Sequence, residues 1–238
     1  MGFLNRIGFG VARLGMPAPV GTHAPQPRSV SVATPSFSPR AVRTSRSLKD
    51  FMWHLNGLGR GHLLDLGPVW QSTVSFFVER GFRVSTEDLL SGWRQFSQDD
   101  AERRKGLPAD AERPAKAELA NKFLESNLQF EPKSFDAVLA WDVLDYLEED
   151  VMRRTAERLG NLVCDGGVVL SIFHSARPEQ FHRYRVLDEQ TVEMVPAPTV
   201  APLARSFQNR EIANLFSRFH TTKTYLGRDQ MREALFVK

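Results

Sequence analysis

The run His62-Leu63-Leu64-Asp65-Leu66-Gly67-Pro68-Val69-Trp70-Gln71-Ser72-Thr73 decides how this 238-residue chain is read. Its short apolar stretch closing on an acid reads as a buried strand, Gly67-Pro68 as a tight turn, and the residues after the turn as a helix start. In an open α/β sheet, ligands lie at the carboxyl end of such a strand, where the next helix points its free N–H groups. Asp65 stands at that end, and Gly67 lets the backbone turn sharply or approach a ligand. Taken alone the run is equally an ordinary strand-to-helix turn, so its meaning depends on the flanking sequence.

Downstream, Val74, Phe77 and Val78 fall on one helical face, with Ser72 or Thr73 as the cap and Gly81 as a left-handed stop. A strand over Phe82–Thr86 comes next and ends in Glu87-Asp88. Strand, helix and strand within about 30 residues make a right-handed βαβ unit and imply a parallel sheet. A second unit begins in Ser134-Phe135-Asp136-Ala137-Val138-Leu139-Ala140-Trp141-Asp142-Val143-Leu144-Asp145-Tyr146-Leu147, with a buried strand over Ala137–Trp141. Met152, Ala156, Leu159 and Val163 then share a helical face, and Asp165-Gly166-Gly167 turns the chain into the strand Val168–Phe173. Ahead of both units, Phe51, Met52, Leu55 and Leu58 predict a helix over Leu48–Leu58 capped by Ser47. Leu89–Arg104 reads as a helix, Lys105–Arg113 as a loop, and Ala115–Leu124 as a helix running into a short strand.

Residues 175–205 break the alternation. Phe181–Leu187 and Thr191–Val195 read as an antiparallel hairpin, ended by Pro196, Pro198 and Pro202. Ile212, Leu215, Phe216 and Phe219 mark another amphipathic helix. The strands His220–Leu226 and Met231–Val237 are joined by only Gly227–Gln230, which makes them antiparallel neighbours.

Charge divides the chain unevenly. Residues 1–49 hold seven of the 31 basic residues and none of the 28 acidic ones, so the remainder is net −4 although the whole is +3. The folded part therefore carries no nucleic-acid footprint. Residues 1–46, rich in Pro, Ser and Arg, read as a disordered basic tail, and 47–238 as the folded domain. Within the tail, Phe3, Leu4, Ile7, Val11 and Leu14 share a helical face beside Arg6 and Arg13. That pattern leaves an organellar transit segment and a weak membrane-surface helix open beside a plain cytoplasmic tail. No apolar run approaches the roughly 18 residues of a membrane span. The single cysteine, Cys164, rules out an intrachain disulfide and a Cys-rich metal site; it reads as a small buried residue at a helix end.

The series LDLG, SFDAVLAWDVLDYL and DGGVVLSIF, in this order and spacing, resembles the class I S-adenosylmethionine-dependent methyltransferases over roughly residues 48–238. The resemblance implies a Rossmann-like α/β fold, with a seven-stranded, mostly parallel sheet, helices on both faces and a reversed final strand. It implies S-adenosyl-L-methionine as cofactor and a small-molecule acceptor. On this likeness Asp65, Gly67, Pro68 and Trp70 belong to the loop around the cofactor's methionine end. Glu87, or Asp88 if the register slips by one, holds the ribose hydroxyls, as an ionised carboxylate can. Trp141 faces the crevice, and Glu125 or Asn127 reads the adenine amine. One departure stands out: of the family's Gly-x-Gly-x-Gly only Gly67 is kept, with Val69 and Gln71 in the other two places. A Cβ there limits how closely the backbone can approach a cofactor.

Methyl transfer draws its rate mainly from alignment, and a base is needed only when the acceptor must lose a proton. Asp142, Asp145, Tyr146 and His174 are the candidates near the crevice, with no metal ligand among them. The insert at about 175–205 is expected to cover the acceptor site, with Arg177, Arg183, Arg185, Arg205 and Tyr184 as anion-facing or solvated side chains. Two other classes remain: a catalytically inactive, cofactor-binding or scaffold domain, motivated by the lost glycines, and a nucleotide-sugar or dinucleotide enzyme, against which the reversed terminal hairpin argues.

Overall fold

The computed structural model describes residues 41–106, 115–227 and 229–238. At its centre β2 (Gly61–Asp65) pairs in parallel with β3 (Phe82–Thr86) on one side and β4 (Phe135–Trp141) on the other. Next to β4 runs β5 (Val163–His174), also parallel, and then β9 (Met231–Val237), which is antiparallel to β5 and to the edge strand β8 (Thr221–Leu226). The order is therefore β3-β2-β4-β5-β9-β8. The chain leaves β2 towards β3 and returns to the opposite side at β4. This reversal makes the carboxyl ends of β2 and β4 a switch point, where neighbouring connections part to opposite faces and open α/β sheets place their ligand crevice.

Period-two alternation assigns each strand's side chains to one of two cores. Leu63, Ala137, Leu139, Leu170 and Leu235 face α1 (Arg46–Leu58) and α2 (Gln71–Val78). Leu64, Val138, Ala140, Val169 and Phe236 face the opposite core. There they meet residues of α3 (Leu89–Lys105), α4 (Lys116–Asn127), the single turn α5 (Val143–Tyr146), α6 (Glu149–Leu162) and α7 (Asn209–Leu215). The α6 stripe Met152, Ala156 and Leu159 is buried as its spacing requires.

The hairpin of the insert is present as β6 (His182–Asp188) and β7 (Thr191–Pro196). It takes a third strand from an unexpected place. Residues 41–46, read from composition as the end of the tail, form β1 (Ala41–Thr44), paired with β7, and the first residue of α1. Arg43 explains the difference: its guanidinium lies 2.8 Å from the buried Glu233 carboxylate and 3.3 Å from Asp229. The true cap of α1 is Ser45, whose hydroxyl accepts the Leu48 N–H at 3.0 Å, while Ser47 donates to Glu233. Residues 1–40, including the amphipathic run from Phe3, and residues 107–114, most of the expected loop, lie outside the described residues.

Other expectations need correction. Six strands, not seven, make the main sheet among the described residues, because Ala120, Phe123 and Leu124 keep a helical face and α4 continues to Asn127. In α2 the buried face is Thr73, Phe76 and Phe77, with Val78 exposed, and no side chain caps it. Cys164 is half-buried, and its thiol donates to the Lys133 carbonyl. The stop at Gly81 is as expected, at φ 86°.

Candidate active site

The loop after β2 is built on Asp65. Its carboxylate is 1% exposed, and Oδ1 accepts the Gly67 N–H at 2.9 Å and the Trp141 indole N–H at 2.7 Å. Burial pushes this carboxyl up to about 6 against the pull of those two donors. The three side chains that replace or flank the expected glycines do not enter the crevice in the same way: Val69 and Gln71 are exposed, and Trp70 is half-buried with Arg185 5.8 Å over its ring. The ring that reaches Gly67 is Trp141. A Cβ on Gly67 would lie 3.0 Å from Trp141 Cδ1 and 3.1 Å from Nε1.

At the end of β3 the two acids separate in role. Asp88 caps α3 through Ser91 and pairs with Arg183 at 3.2 Å. Glu87 donates its backbone N–H to the Asp65 carbonyl at 2.8 Å. Its half-buried carboxylate has no partner among the described residues, and burial raises its pKa. Glu125 is exposed on α4, which packs on α3 and α6, and Asn127 donates to the Phe123 carbonyl. Pro68 is half-buried in the loop.

Beyond β4 and β5 the structure gathers residues 29 to 42 positions apart. Asp142 Oδ2 lies 3.0 Å from His174 Nε2 and accepts the Tyr184 hydroxyl at 2.9 Å. Asp145 accepts the His174 backbone N–H at 2.6 Å, and burial holds its carboxyl well above the usual range. Tyr146 packs edge-on against His174 and Phe181, and burial keeps it a phenol. From the sequence, Tyr184 stood only among the insert's side chains. Nothing local marks it, because its partners Asp142 and Trp141 come from a different part of the domain. His174 also lines a pocket of about 480 Å³ with Arg177, His182, Met194 and Met231.

The insert lies on the crevice itself. The Val186 N–H donates to Thr73 Oγ1 at 3.0 Å, Arg183 reaches Asp88 and Ser91, and Tyr184 stacks on Trp141. Of the other arginines, Arg185 pairs with Glu193, and Arg205 with Glu211 and Glu149. Among the described residues no group of three metal-ligating side chains forms, and no helix is long and apolar enough to cross a membrane.

No protein-family model and no curated protein matches the chain. Solved structures with a similar chain path include a 1,6-didemethyltoxoflavin-N1-methyltransferase of Burkholderia thailandensis with 1,6-didemethyltoxoflavin and S-adenosylhomocysteine bound. It is 20% identical, over 82% of this chain and 79% of that one, at a TM-score of 0.42. Another is the N-methyltransferase NodS from Bradyrhizobium japonicum with S-adenosylhomocysteine, 15% identical over 80% of this chain and 85% of that one, at 0.38. Both likenesses concern the backbone path, and neither carries a residue's role across.

Proposed function

We propose that this chain is an S-adenosylmethionine-dependent methyltransferase acting on a small-molecule acceptor, with the cofactor in the crevice above β2, β3 and β4. The observation that carries the reading is Glu87: a half-buried carboxylate without a partner among the described residues, at the end of the strand beside the switch point. Such a group, free to accept from both hydroxyls of a diol, suits the ribose end of a nucleoside. Asp88, spent on the helix cap and Arg183, does not. At the methionine end the fit fails in this conformation, since the Trp141 indole holds the space Gly67 leaves. The cofactor's chemistry would be an activated methyl group open to in-line displacement.

The chain's own proton chemistry lies in Asp142 and His174. The carboxylate faces Nε2, so in the neutral imidazole the proton sits on Nε2 and the lone pair on Nδ1. His174 is thereby suited to take a proton from an acceptor in the pocket it lines. Tyr184 holds Asp142 in place from the other side.

Calorimetric titration of the full chain with S-adenosylhomocysteine tests the cofactor site. Glu87→Gln is expected to weaken binding by roughly tenfold or more, the loss of charge-assisted hydrogen bonds. Equal affinity in the variant would refute the ribose role. A second reading has its own observation. Trp141, stacked on Tyr184, covers Gly67, so a domain locked in this state would be an inactive scaffold. No heat at millimolar ligand favours it.

A further inference from the structure

Trp141 ends β4 at φ 48°, a left-handed conformation that a bulky residue keeps only where its surroundings hold it. Three contacts hold it here. Its indole N–H donates to Asp65 at 2.7 Å, its carbonyl accepts from the buried Ser171 hydroxyl at 2.9 Å, and its ring stacks on Tyr184 with centroids 5.5 Å apart and planes 10° from parallel. The result is an indole edge laid against Gly67. A glycine that frees space for a ligand is here covered by the protein's own side chain.

Tyr184 belongs to the insert, which packs Tyr184, Val186 and Val192 into the core beside Phe77, Leu139 and Trp141 and adds polar contacts over the crevice: Val186 to Thr73, Tyr184 to Asp142, and Arg183 to Asp88 and Ser91. Each of these joins β6 to an element that borders the crevice. The same sheet is completed by β1 at its far edge, so residues ahead of the domain's first βα unit belong to it. A strained backbone, a ring over the cradle and a polar seam along β6 meet at one place.

We infer that Trp141 and Tyr184 form a gate over the crevice, shut in the free chain and opened when the β6–β7 sheet lifts and the indole leaves Gly67. The inference rests on the reading of the crevice as an S-adenosylmethionine site. A ligand that meets a mostly closed protein binds with an apparent affinity reduced by the open fraction. Loosening the gate away from the ligand must therefore tighten binding. Thr73→Val does this with little change of shape: it removes the acceptor of the Val186 N–H and leaves the crevice loop alone. Tyr184→Leu removes both the stack and the donor to Asp142.

The test is calorimetric titration of the full-length wild type, T73V and Y184L with S-adenosylhomocysteine, with ligand-free melting curves to verify folding. Expected is binding about fivefold tighter in T73V, the equivalent of one net hydrogen bond, and tighter still in Y184L. Heat from the variants alone supports the gate equally. Wild-type binding that is matched or weakened in folded T73V overturns the gate and leaves the cofactor reading standing. No heat from any of the three overturns the cofactor reading, and the gate falls with it. If Y184L fails to fold, T73V decides alone.

Discussion

Replacing Asp65 by asparagine should stabilise the protein at neutral pH although it alters a fully buried acid of the crevice loop. The carboxyl is 1% exposed, and burial lifts it to about 6, with the Gly67 and Trp141 donors opposing and the charge of Asp88 assisting. In the unfolded chain it titrates near its ordinary 3.8. Below that value both states are protonated and the buried group costs nothing in charge. Between 3.8 and 6 the folded state keeps a proton that the unfolded state has released, so stability falls as pH rises, by about 1.4 kcal/mol per unit. Above 6 both are ionised and the loss is complete, about 3 kcal/mol in all. The asparagine of the variant stays neutral and keeps a side-chain oxygen for both donors. Urea unfolding of wild type and Asp65→Asn at pH 4, 5, 6 and 7.5 isolates this one group, since the other titrations are shared by both proteins. The difference between them should be near zero at pH 4 and grow to about 3 kcal/mol in favour of the variant above pH 6. A difference that does not change with pH, or a variant less stable at pH 7.5, would refute the assignment of a desolvated carboxylate to this loop.

Two further substitutions probe the segment ahead of the domain. Arg43→Ala leaves Glu233, whose side chain is 3% exposed, without its cation, and should lower stability by about 3 kcal/mol in urea; adding Glu233→Gln should recover part of the loss. An unchanged midpoint would mean that β1 is not docked. Ser45→Ala removes the acceptor of the Leu48 N–H and should cost about 1 kcal/mol by the same assay, a loss expected only if α1 starts at Arg46.

The apolar runs carried most of the scaffold. Leu63-Leu64, Ala137–Trp141 and Val168–Phe173 lie between turn signals and can satisfy their backbone and bury both faces only as inner strands of a covered sheet. Helical stripes such as Met152, Ala156 and Leu159 were as plain. The segment before Ser45 was not, because a basic, acid-poor stretch has the composition of a tail, and its partner Glu233 lies 190 positions away. Nor could spacing tell Glu87 from Asp88, which differ only in that one meets Ser91 and Arg183.

The succession of strands and helices along the chain and the turn at Asp65–Gly67 were set by local pattern, since period and turn chemistry act between near neighbours, and Asp142 and His174 became candidates through the resemblance. Whether the crevice stands open was decided only in three dimensions. Trp141, Tyr184 and Asp65 come from three separate elements, and their packing depends on long-range register that no local pattern encodes.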